Sequence, residues 1–505
     1  MQQFNFQHSI FKPSRLITKL IAIFLLSAQF AFAQQTDQMS IEEVIDRATT
    51  TSLLALKSTN IYLAGYWQYN AYKASLLPQV NLKLTPVDYN RSFSQQWNSN
   101  EEAFAYYETQ TLNNYSTVSI DQNLAFSGGT LSLQSSLDHL ENLTDDQYSA
   151  FNASPVQLAY TQPILGFNDF KWKKKLSPLA YELAKREYLE VMQQARLYAI
   201  NYYFDLLIAQ VSLEIAKSNQ ATSDTLYQIG LKRFEIASIT KEDLLNLELN
   251  KYSASIEVAR TGKEVKVAQY NLTSFLGMSK DALITPMIPE NNFVKNIPLE
   301  KAIENGMMYN PEPLRLEESM LEAEKNLDQI NKDTRFSANV VAQFGLNNSD
   351  KTLRQTYNNL TNRQAVAVGI QIPLVDWGQG KGERMLALKQ MEVAQIEMKQ
   401  SKMDFEQEIV LNVIDYNLQH QLVENALRAA EISEEAYQLT KKRFILGNVD
   451  VLKLNASAEA RQQEKESYID ALYNLWRVYY EIQELTLFDY GKNTPLSADF
   501  DSMIK

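Results

Sequence analysis

The chain of 505 residues has no cysteine, three histidines and fifteen glycines. Each scarcity excludes something. Without Cys there is no thiol nucleophile, and the lack of disulfides suits an exported protein that does not need them. His8, His139 and His420 are scattered, so no zinc or iron–sulfur ligand set is expected. No nucleophile elbow or phosphate loop occurs, and no enzyme, metal site or cofactor is expected. After residue 33 no uninterrupted apolar run approaches the roughly 20 residues that a spanning helix needs. If this chain enters a membrane, it does so with strands. Positive charge is also short, with 48 Lys and Arg against 60 Asp and Glu. Nucleic acid is therefore not an expected partner.

The first 33 residues stand apart. Lys12, Arg15 and Lys19 form a basic start with no acid, and Leu20 to Phe30 is mostly apolar but too short to span a bilayer. Ala31-Phe32-Ala33 supplies a small-x-small cleavage pattern before Gln34. These marks predict a signal peptide, residues 1–33, cleaved after Ala33. No Cys follows the site, so no lipid anchor is expected there. Losing three of 48 basic residues leaves 45 against 60 acidic ones, a net charge of −15.

What is present is a duplication. Tyr160-Thr161-Gln162-Pro163-Ile164-Leu165 recurs as Ile370-Gln371-Ile372-Pro373-Leu374-Val375, a shift of 210. The same shift superposes Tyr227, Arg233 and Phe234 on Tyr437, Arg443 and Phe444, and Asp205 on Asp415. Upstream, Ser40-Ile41-Glu42-Glu43-Val44-Ile45 matches Pro298-Leu299-Glu300-Lys301-Ala302-Ile303 at a shift of 258. Ser40 and Glu43 form a capping-box pattern, and each segment predicts a helix of roughly 35 residues. The two shifts differ by 48, so the first copy carries 48 more residues in its strand region. The copies are 34–290 and 291–490, with a tail at 491–505. Such units bury their apolar faces only by assembling with neighbours.

The strand regions alternate. Val80, Leu82 and Leu84 interleave with Asn81, Lys83 and Thr85; Val156, Leu158 and Tyr160 with Gln157, Ala159 and Thr161; Val366, Val368, Ile370 and Ile372 with Ala365, Ala367, Gly369 and Gln371. One apolar and one polar or small face suits lipid outside and water inside, and a half-buried soluble sheet has the same period. Within the extra residues, Gly128-Gly129 between alternating runs predicts a turn. Asn90 to Asn114 and Asp138 to Ser154, rich in Asn, Gln, Ser, Glu and Tyr, read as long exposed loops. Pro and Gly are absent from Leu179 to Ile229, and again from Glu383 to Leu446. Sixty-odd helical residues would reach about 95 Å, and the loose apolar spacing suits sideways packing into a cylinder.

Strand, long helix, tight turn and return helix, twice over after a leader, resembles the TolC-like outer membrane efflux proteins (outer membrane factors). The resemblance runs from about Met39 to Leu487. It rests on the strand exits, Gln162 to Phe167 and Ile372 to Gly378, and on the tip motifs. Those read Tyr227…Arg233-Phe234-Glu235-Ile236-Ala237 and Tyr437…Arg443-Phe444-Ile445-Leu446-Gly447. It implies a trimeric outer-membrane β-barrel of twelve strands, four from each chain, continued by a long periplasmic α-helical barrel. It implies a passive exit duct in the outer membrane of a Gram-negative bacterium, serving a tripartite efflux pump or a type I secretion system. The implied partners are outer-membrane lipid, a periplasmic membrane-fusion adaptor, and an inner-membrane transporter of the RND, ABC or MFS class. A soluble periplasmic coiled-coil scaffold or adaptor is the alternative, distinguished by solubility without detergent.

Particular residues follow from the resemblance. Asp450 matches the aspartate that rings the closed periplasmic pore, while the second ring acid falls on Lys453. Asp243 stands in the corresponding stretch of the first copy. Both Asp450 and Asp243 also suit helix capping. Arg233, Phe234, Arg443, Phe444 and Gly447 are the expected tip contacts, between subunits or with the adaptor. The arginines equally suit capping of helix C-termini. Pro163, Pro373 and Trp377 mark the strand-to-helix transition, where proline breaks the sheet ladder. Phe167, Phe170, Trp172 and Trp377 either form an interfacial aromatic belt or pack between helices. Whether the Gly128-Gly129 hairpin joins the barrel or folds above it stays open at this level.

Overall fold

A computed structural model describes residues 37–98, 102–144, 148–279 and 282–504. The leader and its cleavage site lie outside the described residues. In chain order the first copy runs β1 (Asp37–Met39), α1 (Ile41–Thr51), α2 (Leu53–Ser75), β2 (Gln79–Asn98), β3 (Ala103–Leu124), β4 (Gly129–Asn142), β5 (Tyr148–Ile164), α3 (Asp169–Glu235) and α4 (Lys241–Phe275). The second runs β6 (Ile284–Pro286), α5 (Leu299–Tyr309), α6 (Pro311–Asp333), β7 (Ser337–Asp350), α7 (Leu353–Thr356), β8 (Thr361–Gln371), α8 (Gln379–Ile445) and α9 (Val451–Thr486). Two short strands close the chain, β9 (Phe488–Asp489) and β10 (Thr494–Pro495). Helices α3 and α8 each hold 67 residues, at the offset of 210 that the repeat requires. Among the described residues no helix is long and apolar enough to cross a membrane.

The helices expected to run about 35 residues each break once. Ser52 and Asn310, also related by 258, are the break points, both with extended backbone. Ser52 Oγ donates to the Ala48 carbonyl and accepts from Ala55 N. Asn310 is restricted by Pro311 behind it. Its side chain accepts from Glu312 N at 2.8 Å and donates to the carbonyls of Glu484 and Leu485 at 3.2 and 3.0 Å. Each side chain replaces the backbone bonds that the break removes. At the start of α1 the capping box forms as predicted, Ser40 Oγ accepting from Glu43 N and the Glu43 carboxylate accepting from Ser40 N.

Two compact units divide the chain, each drawing on both copies. The first takes residues up to Leu56, Met192–Asn296 and Asp415–Glu481. Its core holds Ile200, Phe204, Leu206, Tyr416, Leu475 and Val478, all essentially solvent-free. There β1 and β6 form a small parallel pair. Tyr203, fully buried on α3, holds it: its hydroxyl donates to the Met287 carbonyl at 2.7 Å, accepts from Met287 N at 2.9 Å and lies 3.2 Å from the Met39 carbonyl.

The second unit takes Lys57–Val191, Ile297–Ile414 and Ile482–Lys505, and contains the main sheet. Its order is β2-β3-β4-β5-β7-β8, antiparallel throughout. The sheet of one chain thus holds six strands, where the resemblance implies four in the barrel wall. The hairpin with its turn at Gly128 inserts β3 and β4 between β2 and β5, so it extends the sheet. The stretches read as loops, Asn90 to Asn114 and Asp138 to Ser154, are largely strand. Polar residues on both faces hide the period that marks a strand, yet Thr, Tyr and Phe keep β propensity there. Tract lengths reach 20 and 22 residues in β2 and β3, about twice the nine to eleven that one bilayer crossing takes.

Register makes the alternation coherent across the sheet. Val80, Ile120, Leu133, Leu158 and Phe344 line up as one cross-strand row, each paired with the next. The neighbouring row is Asn81, Ser119, Gln134, Gln157, Gly345 and Arg363. Every member of the apolar row is exposed in the single chain.

Around the sheet, Arg315 on α6 bonds Glu187 and Glu190 of α3 and Glu312 of its own helix. Trp172 Nε1 donates to Asp328 at 2.9 Å. The tail packs Phe500 against Tyr62 and Tyr188 at ring distances of 4.7 and 5.6 Å.

Burial pushes the Tyr203 hydroxyl up to about 12. Tyr203→Phe removes the hydroxyl bonds to both backbone groups of Met287, and should cost about 1–2 kcal/mol at neutral pH. Because the folded pKa is raised, the wild type's advantage is full below pH 10 and is lost as pH approaches 12. Thermal unfolding of both proteins in detergent across that range checks this. Equal midpoints at pH 7 would contradict it.

Candidate functional site

The tips lie in the first unit. Both long helices end the same way. After Glu235, Ala237 takes a left-handed φ of 49°, with Ala237 N bonded to Phe234 O and Ser238 N to Arg233 O. After Ile445, Gly447 takes φ 83°, with Gly447 N bonded to Phe444 O and Asn448 N to Arg443 O. These are paired Schellman-type stops, which explains the small residue at each position. The return helices are capped differently. Asp450 accepts Lys453 N at 2.8 Å as the N-cap of α9. Asp243 instead sits three residues into its turn, where its carboxylate accepts Thr240 N at 3.1 Å. Thr240 Oγ1 accepts Asp243 N at 3.0 Å, completing a capping box. Thr240 was not singled out from the sequence, although Thr-x-x-Asp is its signature.

The repeated arginines and phenylalanines then part company. Arg233 reaches across to the second hairpin, donating to Ile445 O at 2.7 Å and Phe444 O at 3.4 Å, with its guanidinium 5.7 Å from the Phe444 ring. Phe444 is 5 % exposed, in a cluster with Leu226, Leu247, Tyr437, Val451 and Leu454. Phe234 is 39 % exposed, with the Lys241 ammonium 5.5 Å from its ring centre. Arg443 is exposed, and its backbone carbonyl serves the turn. Ile236, Leu446 and Leu452 add exposed apolar surface around the tips. Asp450 and Lys453 are both exposed.

Above the tips the hairpins are joined by polar contacts that sequence reading missed. Arg461 on α9 is buried, donates to Asn219 at 2.6 Å and stacks 4.0 Å above the Tyr437 ring. Lys441 Nζ donates to Thr222 at 3.1 Å, and Ser212 to Glu466 at 3.0 Å. A long-range partner leaves no local spacing signal, so these pairs had none to find. Among the described residues no group of acids or histidines is arranged to hold a metal ion.

The strand exits lie in the second unit. Pro163 falls just past the last residue that pairs β5 with β4, so its missing donor costs no bond there. Leu165 then turns with φ 62° and Asn168 caps α3 by accepting Lys171 N. In the second copy Pro373 follows β8, and Trp377 and Gly378 take left-handed φ of 52° and 90°. Asp376 accepts Gly378 N and Gly380 N, both at 3.0 Å, and these amides hold its carboxyl below the usual range. The aromatics differ sharply in burial. Trp172 is buried between helices, whereas Trp377 is 95 % exposed beside exposed Leu374 and Val375.

This combination of antiparallel sheet and doubled helical hairpins matches solved structures. The outer membrane channel CmeC of Campylobacter jejuni is 11 % identical with a TM-score of 0.65, covering 100 % of this chain and 97 % of that one. The fold is that of an outer-membrane channel. The outer membrane protein VceC of Vibrio cholerae gives 12 %, 0.58, and 90 % and 97 %. The open-state MtrE outer membrane channel of Neisseria gonorrhoeae gives 14 %, 0.55, and 88 % of both chains. No family profile and no curated protein sequence matches this chain.

Gly447→Ala would add a Cβ with no atom nearer than 3.6 Å, so its cost is backbone strain alone, about 1 kcal/mol. Ala237→Gly should relieve a similar strain. Amide hydrogen exchange at the two tips should therefore speed up in the first variant and slow down in the second. Identical exchange in both would refute the paired-stop reading.

Proposed function

We propose that this protein is the outer-membrane exit duct of a tripartite efflux pump or type I secretion system. It works as a homotrimer with a periplasmic adaptor and an inner-membrane transporter, and performs no chemistry of its own. The observation that carries the reading is the continuous exposed apolar row on a sheet whose other face is polar. A soluble protein would cover such a row, and lipid does so here. Helices of 67 residues supply about 100 Å of rise toward the adaptor. The mature protein begins at Gln34, without a lipid anchor, and its cargo is selected upstream.

The tips divide their work by exposure. Arg233 and Phe444 hold the two hairpins of one chain together, and Gly447 ends the long helix of the second. Arg443, Phe234 and the apolar rim of Ile236, Leu446 and Leu452 face outward, toward neighbouring subunits and the adaptor. Asp450, one per chain, forms a negative ring at the periplasmic constriction that favours cations. Lys453, beside it, weakens that preference, and Asp243 belongs to the wall of the same aperture.

Planar-bilayer recording tests this reading. The purified protein should form a small, cation-preferring conductance. Asp450→Asn keeps an N-cap while removing the charge, and should at least halve the preference for potassium over chloride. Protein that stays soluble without detergent and forms no channel would overturn the duct in favour of a periplasmic scaffold. Unchanged selectivity in the variant would remove Asp450 from the gate and leave the duct standing.

A further inference from the structure

The extra hairpin is built into the sheet and braced at its turn. Gly128 has φ 76°, and a side chain at Gly129 would meet the Gln162 amide and the Thr161 carbonyl at 2.5 and 2.8 Å. Gln162 Nε2 donates to Ser127 O at 2.8 Å, and Asn168 Nδ2 to Ala125 O at 3.2 Å. The repeated strand exit is thus the clamp that holds the inserted pair. Strands β3 and β4 pair in register over 14 positions, from Thr111↔Asn142 to Leu124↔Gly129.

The sheet's outer edges belong to β2 and β8. Val80, Leu82 and Leu84 on β2 and Val366, Val368 and Ile370 on β8 are all exposed, so the apolar face continues to both edges. Six alternating strands leave β2 and β8 pointing in opposite directions. An edge-to-edge contact between β8 of one copy and β2 of the next is therefore antiparallel, like every other pair in the sheet. An open edge in lipid is forbidden energetically, and a six-stranded sheet is too narrow to close upon itself.

We propose that β8 of each copy pairs with β2 of the next, and that all six strands enter the wall of a common barrel. This rests on the outer-membrane trimer reading and deepens it. Three copies then supply eighteen strands. With strands about 4.8 Å apart and tilted about 40°, the backbone diameter is roughly 36 Å, against roughly 24 Å for twelve strands. The lining is polar or small, with Asn81, Lys83, Ser119, Asp121, Gln134, Gln157 and Arg363 on that face. The outer portal of this duct is thus half again as wide as four strands per chain would make it, and suits large hydrated cargo.

The chain has no native cysteine, so introduced pairs report without background. Gly369→Cys on β8 is combined in turn with Asn81→Cys, Lys83→Cys and Thr85→Cys on β2, and Ala367→Cys likewise. Asn339→Cys with Gly369→Cys, partners within one sheet, is the control. After oxidation in outer membranes, at least one edge pair should give a dimer and trimer ladder on non-reducing gels. Electron micrographs of the detergent-purified protein should show a barrel near 36 Å across. A control disulfide with no intersubunit ladder, or a barrel near 24 Å, would overturn the six-strand barrel while leaving a membrane channel. Protein recovered outside the membrane would instead overturn the duct reading beneath it.

Discussion

A backbone amide or carbonyl left without a partner in hydrocarbon costs several kcal/mol, and in the membrane setting proposed above this single constraint governs the sheet. The long helices satisfy it internally and can stand alone. The sheet cannot. Its four inner strands are paired on both sides, but β2 and β8 are paired on one. Along the same strands the exposed apolar side chains require a solvent other than water. The apolar face and the open backbone edges are therefore two demands of one surface; in the reading proposed above, lipid meets the first and further copies of the chain meet the second.

The same logic explains why the duplication is so regular in backbone and so irregular in side-chain partners. Both long helices need a stop, and both obtain one from a left-handed residue at equivalent positions, Ala237 and Gly447. Both upstream helices break at equivalent positions, Ser52 and Asn310. These are local requirements, and each copy meets them alone. Partnering is not local. Arg233 finds the carbonyls of α8 and Phe444 finds a buried cluster, while their counterparts Arg443 and Phe234 remain outside. In a ring of repeats, a contact made once inside the chain has its counterpart at the junction between chains. In the proposed trimer the exposed pair would lie at that junction.

Much of this was legible in the residues. The 210-residue shift set the two 67-residue helices, the capping box at Ser40 formed as written, and Gly128-Gly129 marked a real turn. The breaks at Ser52 and Asn310 were missed, although the 258-residue match already paired those positions and Pro311 stood next to one of them. The upper parts of β2 to β5 were mistaken for loops because a strand polar on both faces has no period to detect. Arg461 and Tyr203 were invisible for a different reason. Their partners lie far away in sequence, and nothing near a residue announces a contact that only tertiary packing creates.

Inserting two strands, and not one, preserves the architecture around them. A single added strand would reverse every later strand and send α3 out of the opposite side of the membrane. A pair restores the direction, so Pro163 and Pro373 still release their helices on the same side. In the barrel proposed above, the pair would also change the fit between the strands and the helices that adjoin them. Four helices adjoin the sheet in each chain: α2 enters β2, α3 leaves β5, α6 enters β7 and α8 leaves β8. Twelve helices packed about 9.5 Å apart ring a circumference of about 114 Å. Eighteen strands tilted at about 40° need about 113 Å, whereas twelve need about 75 Å. In a trimer with twelve strands the helices would have to crowd inward where they meet the sheet. With eighteen they could leave it without constriction, so in the proposed barrel the inserted hairpin would remove a narrowing where the helices meet the sheet.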